Sequence, residues 1–256
     1  MVTVNKNAKT GFEGSIHLAG SDSAALVKTT RIQQVAAGMA SLQDHGGVII
    51  IDGPPGLGKT AATKLLGRQL NLEKRFLAMP NRPRGKDTMA RIWTALHQKR
   101  ANMRWSEFDL EHEVVDWLTG QQVLLAIDEA QHLNRESFRQ LRWLQDLNET
   151  NLLLVFVGVN VRSEMQRLCS ELLNRVQRTI QFKPYSKPEM VQFLQEYHLL
   201  YANTPPDVYP ILLKAIDGNL RNAAKLLAAA LDLGLDQDRG FTEETARAVI
   251  FAVNGG

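Results

Sequence analysis

Eight consecutive residues, Gly53-Pro54-Pro55-Gly56-Leu57-Gly58-Lys59-Thr60, have the types and spacing of a loop that wraps a phosphate chain. Glycines let successive backbone N–H groups turn inward around an anion, and a helix opening directly behind them adds the positive end of its dipole. A lysine in the seventh place reaches the β- and γ-phosphates, and the hydroxyl after it ligates Mg²⁺. The candidate ligands of a nucleoside triphosphate are therefore Gly53, Pro54, Pro55, Gly56, Leu57, Gly58, Lys59, Thr60 and Ala61, with Thr60 also on the metal. Farther along, Asp128 and Glu129 supply two adjacent carboxylates. Asp128 suits a water-mediated hold on Mg²⁺, and Glu129 suits a general base acting on the attacking water. Taken alone, two such acids have a plainer reading, as the cap of the next helix.

Both groups fall where the periodicity ends a buried strand. Val48-Ile49-Ile50-Ile51 leads into the glycine loop, and Val123-Leu124-Leu125-Ala126-Ile127 leads into the acids. Continuous apolar runs of this kind suit parallel strands covered on both faces. Strands are predicted over 48–52, 75–79, 123–127, 152–157 and 179–182. Helices are expected over 22–42, from the loop to about residue 70, after Asp87 as a cap, over 106–118 with Ser106 as a cap, and over 134–148. Alternation of this kind predicts an α/β fold with a five-stranded parallel sheet and right-handed crossovers, with the ligand crevice at the carboxyl ends of the strands. The fourth strand runs out through Gly158-Val159 to Asn160, whose amide either reaches the γ-phosphate and the catalytic water or caps the following helix. Beyond Pro184 only helical spacing remains, as in Met190, Phe193, Leu194 and Tyr197, or Leu220, Ala223, Ala224 and Leu227. The expected division is a loose arm and lead-in helix over 1–45, an α/β nucleotide-binding core over 46–184 and a small all-helical lid domain over 185–256.

The composition fits a folded protein with a sizeable core, since 44% of the 256 residues are hydrophobic and 22% charged. Cys169 is the only cysteine, which excludes a disulfide framework or a thiolate metal site and suits a reducing compartment. No stretch is long and apolar enough to span a bilayer, and the first residues lack the pattern of an export signal. A cytoplasmic protein without a membrane partner is expected. The net charge of +3 hides a local concentration: Arg82, Arg84, Lys86, Arg91, Lys99, Arg100 and Arg104 stand against the single acid Asp87. Such asymmetry is the footprint of a nucleic-acid-binding surface, although a solvated face or an acidic surface of a neighbouring subunit would use it equally.

The phosphate loop, the Asp-Glu pair, the polar tip of strand four, an arginine before strand five and a Gly-x-x-Arg in the helical region together resemble the AAA+ P-loop ATPases. The resemblance spans about residues 48–231. Within that superfamily, Asp128-Glu129-Ala130-Gln131-His132-Leu133 and the Val157-Gly158 strand end look most like the DNA-transposition regulators of the MuB, TnsC and TniB types. A secretion ATPase of the ExeA type is similar in the Asp-Glu-Ala-Gln string. The resemblance implies ATP and Mg²⁺ as cofactors. It also implies that Arg175 is the arginine finger a neighbouring subunit would receive, with Arg178 as the nearby alternative. A salt-bridged surface arginine is the other reading of Arg175. Arg221, in Gly218-Asn219-Leu220-Arg221, matches the lid's nucleotide-sensing arginine, unless it is simply a helix-start charge in solvent.

For these regulators the resemblance further implies a homo-oligomer, ring or helical filament, assembling on double-stranded DNA with little sequence preference. The DNA contacts would come from Arg82, Arg84, Lys86, Lys99, Arg100 and Arg104. The assembly would recruit a transposase, together with a target-selection protein, and hydrolysis would dismantle it. The alternative is an ATPase that remodels or loads a protein partner, as in secretion or replication-type loading. Trp105, beside the basic cluster, is expected in the core rather than stacked on a base.

Overall fold

The computed structural model describes residues 24–25, 27–81, 83, 85–147 and 150–255. The expected N-terminal arm, Arg82 and Arg84 lie outside the described residues. The chain divides into two compact units, Val27–Ser186 and a second made chiefly of the helices from Lys187 onward.

The first unit is built on five strands: β1 (Gly47–Asp52), β2 (Glu73–Ala78), β3 (Gln122–Asp128), β4 (Asn151–Gly158) and β5 (Val176–Gln181). All pairings are parallel and the spatial order is β2-β3-β4-β1-β5. The three inner strands are the apolar runs, and every residue of β1 is buried. Both edge strands are amphipathic and half exposed. That is why β2 begins two residues before the predicted start and β5 three: Lys74 and Arg178 carry no hydrophobic signal, yet they continue the ladder, which skips Gln177 at a bulge.

Alternate residues of the inner strands serve opposite faces, as the pleat requires. Val48, Ile50, Leu125, Ile127, Leu154 and Phe156 pack into one core beneath α3 (Gly85–His97), α4 (Glu107–Leu118), α5 (Arg135–Asp146), α6 (Val161–Leu168) and α7 (Ser170–Leu173). The other face is covered by α1 (Thr30–Ala40) and α2 (Lys59–Gly67). Gly67 of α2 lies directly over Phe76 and Leu124, a fit that a β-carbon would spoil.

Local chemistry sets most helix starts. Ser106 and Asp109 form a reciprocal capping box at α4, with Asp109 N–H donating to Ser106 Oγ at 3.1 Å and Ser106 N–H donating to Asp109 Oδ2 at 2.8 Å. Asn134 Oδ1 accepts from Ser137 N–H at 2.8 Å to open α5. The expectation of Asp87 as a cap is corrected: α3 begins at Gly85, so Asp87 lies in its first turn, where a carboxylate still meets the positive helix end. Helices α6 and α7, between β4 and β5, have no counterpart in the sequence reading.

The second unit holds α8 (Lys187–Tyr197), α9 (Leu199–Ala202), α10 (Tyr209–Ile216), α11 (Leu220–Asp232) and α12 (Glu243–Val253). Its interior is tied by tyrosines. Tyr201 OH donates to Ala223 O and Tyr209 OH to Tyr201 O, each at 2.7 Å. His198 is buried ahead of α9, and its Nδ1 accepts from Leu200 N–H at 3.0 Å. Burial lowers the His198 pKa.

Candidate active site

Residues 53–58 link the end of β1 to α2, and three glycines make that link possible. Gly53, Gly56 and Gly58 have φ of 145°, 80° and 88°, a region closed to most side chains. Gly53 also lies against the backbone carbonyl of Phe182, where a β-carbon would collide. Helix α2 has no side-chain cap, so its first N–H groups remain available at the loop. Lys59 is 7% exposed, and its Nζ donates to the carbonyls of Gly53 at 2.6 Å and Pro54 at 2.8 Å. A buried ammonium held by the loop's own carbonyls stands ready for an anion seated in that loop.

The second part of the site arrives on β3. Thr60 Oγ1 donates to Asp128 Oδ2 at 2.8 Å, joining the first turn of α2 to the end of β3. These are hard oxygen donors of the kind that hold Mg²⁺, and a cavity of 100 Å³ lies beside them, bounded by Thr63, Ala78, Ala126 and Val157. The residues therefore fit a nucleotide-bound Mg²⁺, with Thr60 and Asp128 holding it. The ion would neutralise charge on the β- and γ-phosphates. Glu129 is exposed and takes the left-handed conformation, φ 54° and ψ 38°. Its N–H donates to Asp128 Oδ1 at 3.0 Å. Glu129 opens a 3-10 turn, Ala130–His132, but its side chain makes no cap bond there. The capping alternative for this pair is thereby removed.

The sequence reading missed two residues of this neighbourhood. Asp52 closes β1; its Oδ1 accepts from Gly53 N–H at 2.8 Å and its Oδ2 from Arg162 N–H at 3.5 Å, so one carboxylate ties the loop to the start of α6. Gln131 donates its amide N–H to Glu129 Oε2, while its Oε1 accepts from Val159 N–H at 3.1 Å. The signal for Gln131 lay in Gly158, whose missing side chain leaves room for that amide.

Asn160 is exposed, two residues beyond β4, with φ 55°. Its side chain makes no capping bond to α6, so the capping alternative is not realised and the amide stays at the crevice end of β4. Arg175 realises the salt-bridged alternative in this chain: Nε donates to Asp146 Oδ1 at 2.9 Å. Arg142 holds the other oxygen of Asp146 at 3.1 Å, and the two guanidinium groups, Arg175 first, keep the Asp146 carboxyl below the usual range. Arg178 is an exposed residue of β5. Arg221, in the helical unit, is exposed in the first turn of α11, where its N–H donates to the Asn219 side chain at 2.9 Å.

A groove of 580 Å³ runs along the free edge of β2 against α3, lined by Phe76, Pro80, Arg91, Arg100 and Met103. Lys99, Arg100, Arg104 and Arg91 are exposed, and among the described residues none forms an ion pair. Lys86 is half-buried and donates to Met103 O at 2.9 Å. Trp105 packs edge-on against Trp93, 5.3 Å between ring centres. No described helix is long and apolar enough to cross a membrane.

Comparison with known proteins agrees with this geometry. Residues 42–166 match the family model described as an AAA domain. The general secretion pathway protein A of Aeromonas hydrophila is 30% identical over 140 residues, 52% of this chain and 25% of that protein. The chain thus spans a quarter of that curated relative. Among solved structures, the Aeropyrum pernix ORC1 protein in complex with DNA superposes with a TM-score of 0.67 at 16% identity, over 87% of this chain and 64% of that one. The Aeropyrum pernix ORC2 protein with ADPNP and ADP gives 0.70 at 14% identity, over 93% and 71%. The Thermotoga maritima RuvB branch-migration motor gives 0.61 at 14% identity, over 88% and 70%. At these identities the structural likeness speaks for the fold alone. Residues 42–166 thus match an AAA domain that brings the loop, lysine, threonine and paired acids together, and the chain has the AAA+ P-loop fold.

Proposed function

We propose that the protein is an ATP-gated DNA-binding ATPase of the transposition-regulator kind. ATP seated on residues 53–61 favours head-to-tail assembly, in which Arg175 of one subunit approaches the γ-phosphate held by the next. Heterologous contacts of that sort close into rings or run on as filaments. In this reading Glu129 activates water, Asn160 senses the γ-phosphate, and Arg221 has the sensing role the resemblance implies. The assembly coats duplex DNA, engages a transposase and comes apart on hydrolysis.

The observation that carries the DNA part is the set of exposed cations Arg91, Lys99, Arg100 and Arg104 at the β2 groove, whose lining holds a single acid, Asp87. Unpaired cations on one side of a domain attract phosphate backbones through counterion release, which predicts steep salt dependence and little sequence preference. The DNA complex of the Aeropyrum ORC1 protein is consistent with such a role on this fold. The test is a gel shift of duplex DNA with ATP, with ADP and without nucleotide. Retardation only with ATP supports the reading; equal retardation in all three refutes it.

The similarity to general secretion pathway protein A favours a second reading, an ATPase acting on a protein partner in secretion or loading. Replacing Lys99, Arg100 and Arg104 with alanine separates the two. Under the second reading the variant keeps its partner-dependent function, and under the first it loses DNA binding while ATP binding stays intact.

A further inference from the structure

The strongest unassigned relationship in the molecule joins Gln131 to Glu129. The Gln131 side chain spans two chain segments: its amide N–H reaches the Glu129 carboxylate, and its carbonyl oxygen takes the Val159 N–H just past the end of β4. Space for it exists because residue 158 is glycine; a β-carbon there would overlap Gln131 Oε1 and press on Val161. Around it runs a closed circuit of hydrogen bonds. Gly53 N–H donates to Gly158 O at 3.2 Å, Val159 N–H to Gln131, Gln131 to Glu129, Glu129 N–H to Asp128 Oδ1, and Thr60 Oγ1 to Asp128 Oδ2. The phosphate loop and the ends of β3 and β4 are thus tied in a ring, with the Gln131 side chain bridging Glu129 and the β4 end.

We infer that Gln131 is the positioning residue of the hydrolytic base, holding the Glu129 carboxylate in register with the end of β4. The inference rests on reading Glu129 as the base. Without a tether, Glu129 would be an exposed side chain with all its side-chain torsions to order at each turnover. A carboxylate on a long chain must be held to within a fraction of an ångström to activate a water efficiently. The amide is suited to the task because one end donates and the other accepts, so it can bridge a carboxylate and a backbone N–H at once. The arrangement also couples two events. Any shift of the β4 end, where Asn160 stands, is passed through Val159 N–H to the base.

The experiment measures single-turnover ATP hydrolysis, affinity for a fluorescent ATP analogue and thermal midpoint in the full chain. The proteins are the wild type, Gln131→Ala, the isosteric Gln131→Glu, Glu129→Gln and the double variant Gln131→Ala/Glu129→Gln. Gln131→Ala and Gln131→Glu are expected to hydrolyse at least about tenfold more slowly at saturating ATP, with analogue affinity within about twofold of wild type. In the Glu129→Gln background the Gln131→Ala change should have no further effect, because its target is already gone. A rate in Gln131→Ala equal to or above wild type overturns the inference. So does an equal loss in the Glu129→Gln background, or a loss confined to affinity and thermal midpoint, since either marks a purely structural glutamine. Normal hydrolysis by Glu129→Gln alone refutes instead the assignment of the base.

Discussion

Arg175 donates its Nε–H to Asp146 at 2.9 Å, and Arg142 grips the same carboxylate from within α5. The arginine proposed to cross into a neighbouring subunit is thus held by an acid of its own chain. The pair is half open to solvent, with side-chain exposures of 51% and 29%, so it is worth no more than about 1 kcal/mol. Asp146→Asn should remove this competitor and lower the protein concentration for half-maximal ATPase by up to about fivefold. Arg175→Ala should abolish the concentration dependence while leaving ATP binding intact. Activity titrated against protein concentration reads both. The pair is present above the ordinary carboxylate range and lost only as pH falls through the lowered Asp146 value, so neutral-pH assays find it formed.

Lys59 tests the loop itself. Its Nζ now rests on two carbonyls, and bound phosphate oxygens would replace them. Lys59→Ala should weaken ATP binding by about a hundredfold, on the scale of two lost charge-assisted hydrogen bonds. Thr60→Ala and Asp128→Asn should instead lose the Mg²⁺ dependence of affinity. Titration of a fluorescent analogue with and without Mg²⁺ distinguishes the two outcomes.

Salt dependence tests the groove beside β2. If Lys99, Arg100 and Arg104 each neutralise one phosphate, replacing any one with alanine lowers the slope of log affinity against log salt by about 0.9. Binding should weaken alike on unrelated duplex sequences. A slope unchanged in all three variants would remove this face from the DNA reading. Fluorescence anisotropy over a salt series gives the slope directly.

In the helical unit, His198 caps α9 through Nδ1 as an acceptor, which requires the neutral ring. Burial lowers its folded pKa, so the unfolded chain binds the proton more readily. The contribution of this site to stability is full above the unfolded value of about 6.5 and is lost as pH falls below it. His198→Asn keeps a capping acceptor but cannot titrate. Thermal midpoints from pH 8 to 5 should fall more steeply for the wild type than for the variant.

The chemistry of the loop was legible because its residue types are constrained by backbone geometry, and a Gly-x-x-x-x-Gly-Lys-Thr string has few other uses. The inner strands were legible because burial on both faces forces an uninterrupted apolar run. Edge strands announce themselves less clearly: in β5 only Ile180 is buried, so its start at Val176 was hidden among polar residues. Helices α6 and α7 were hidden for the same reason, since α6 buries only Val161 and Met165. Gln131 and Asp52 escaped because their roles are relations between distant segments, Gln131 to Val159 and Asp52 to Arg162, and no local spacing encodes them. Arg175 shows a different limit. A side chain with one partner at home and another proposed abroad has two correct descriptions, and a residue string contains neither.

Glu129 occupies a left-handed backbone that most residues enter at a cost of about 1 kcal/mol and glycine enters almost freely. Thermal endurance and turnover therefore pull this position in opposite directions. A Glu129→Gly chain should melt at a higher temperature than Glu129→Ala while neither turns over ATP. Selecting the protein for heat resistance alone would thus favour the very change that silences it.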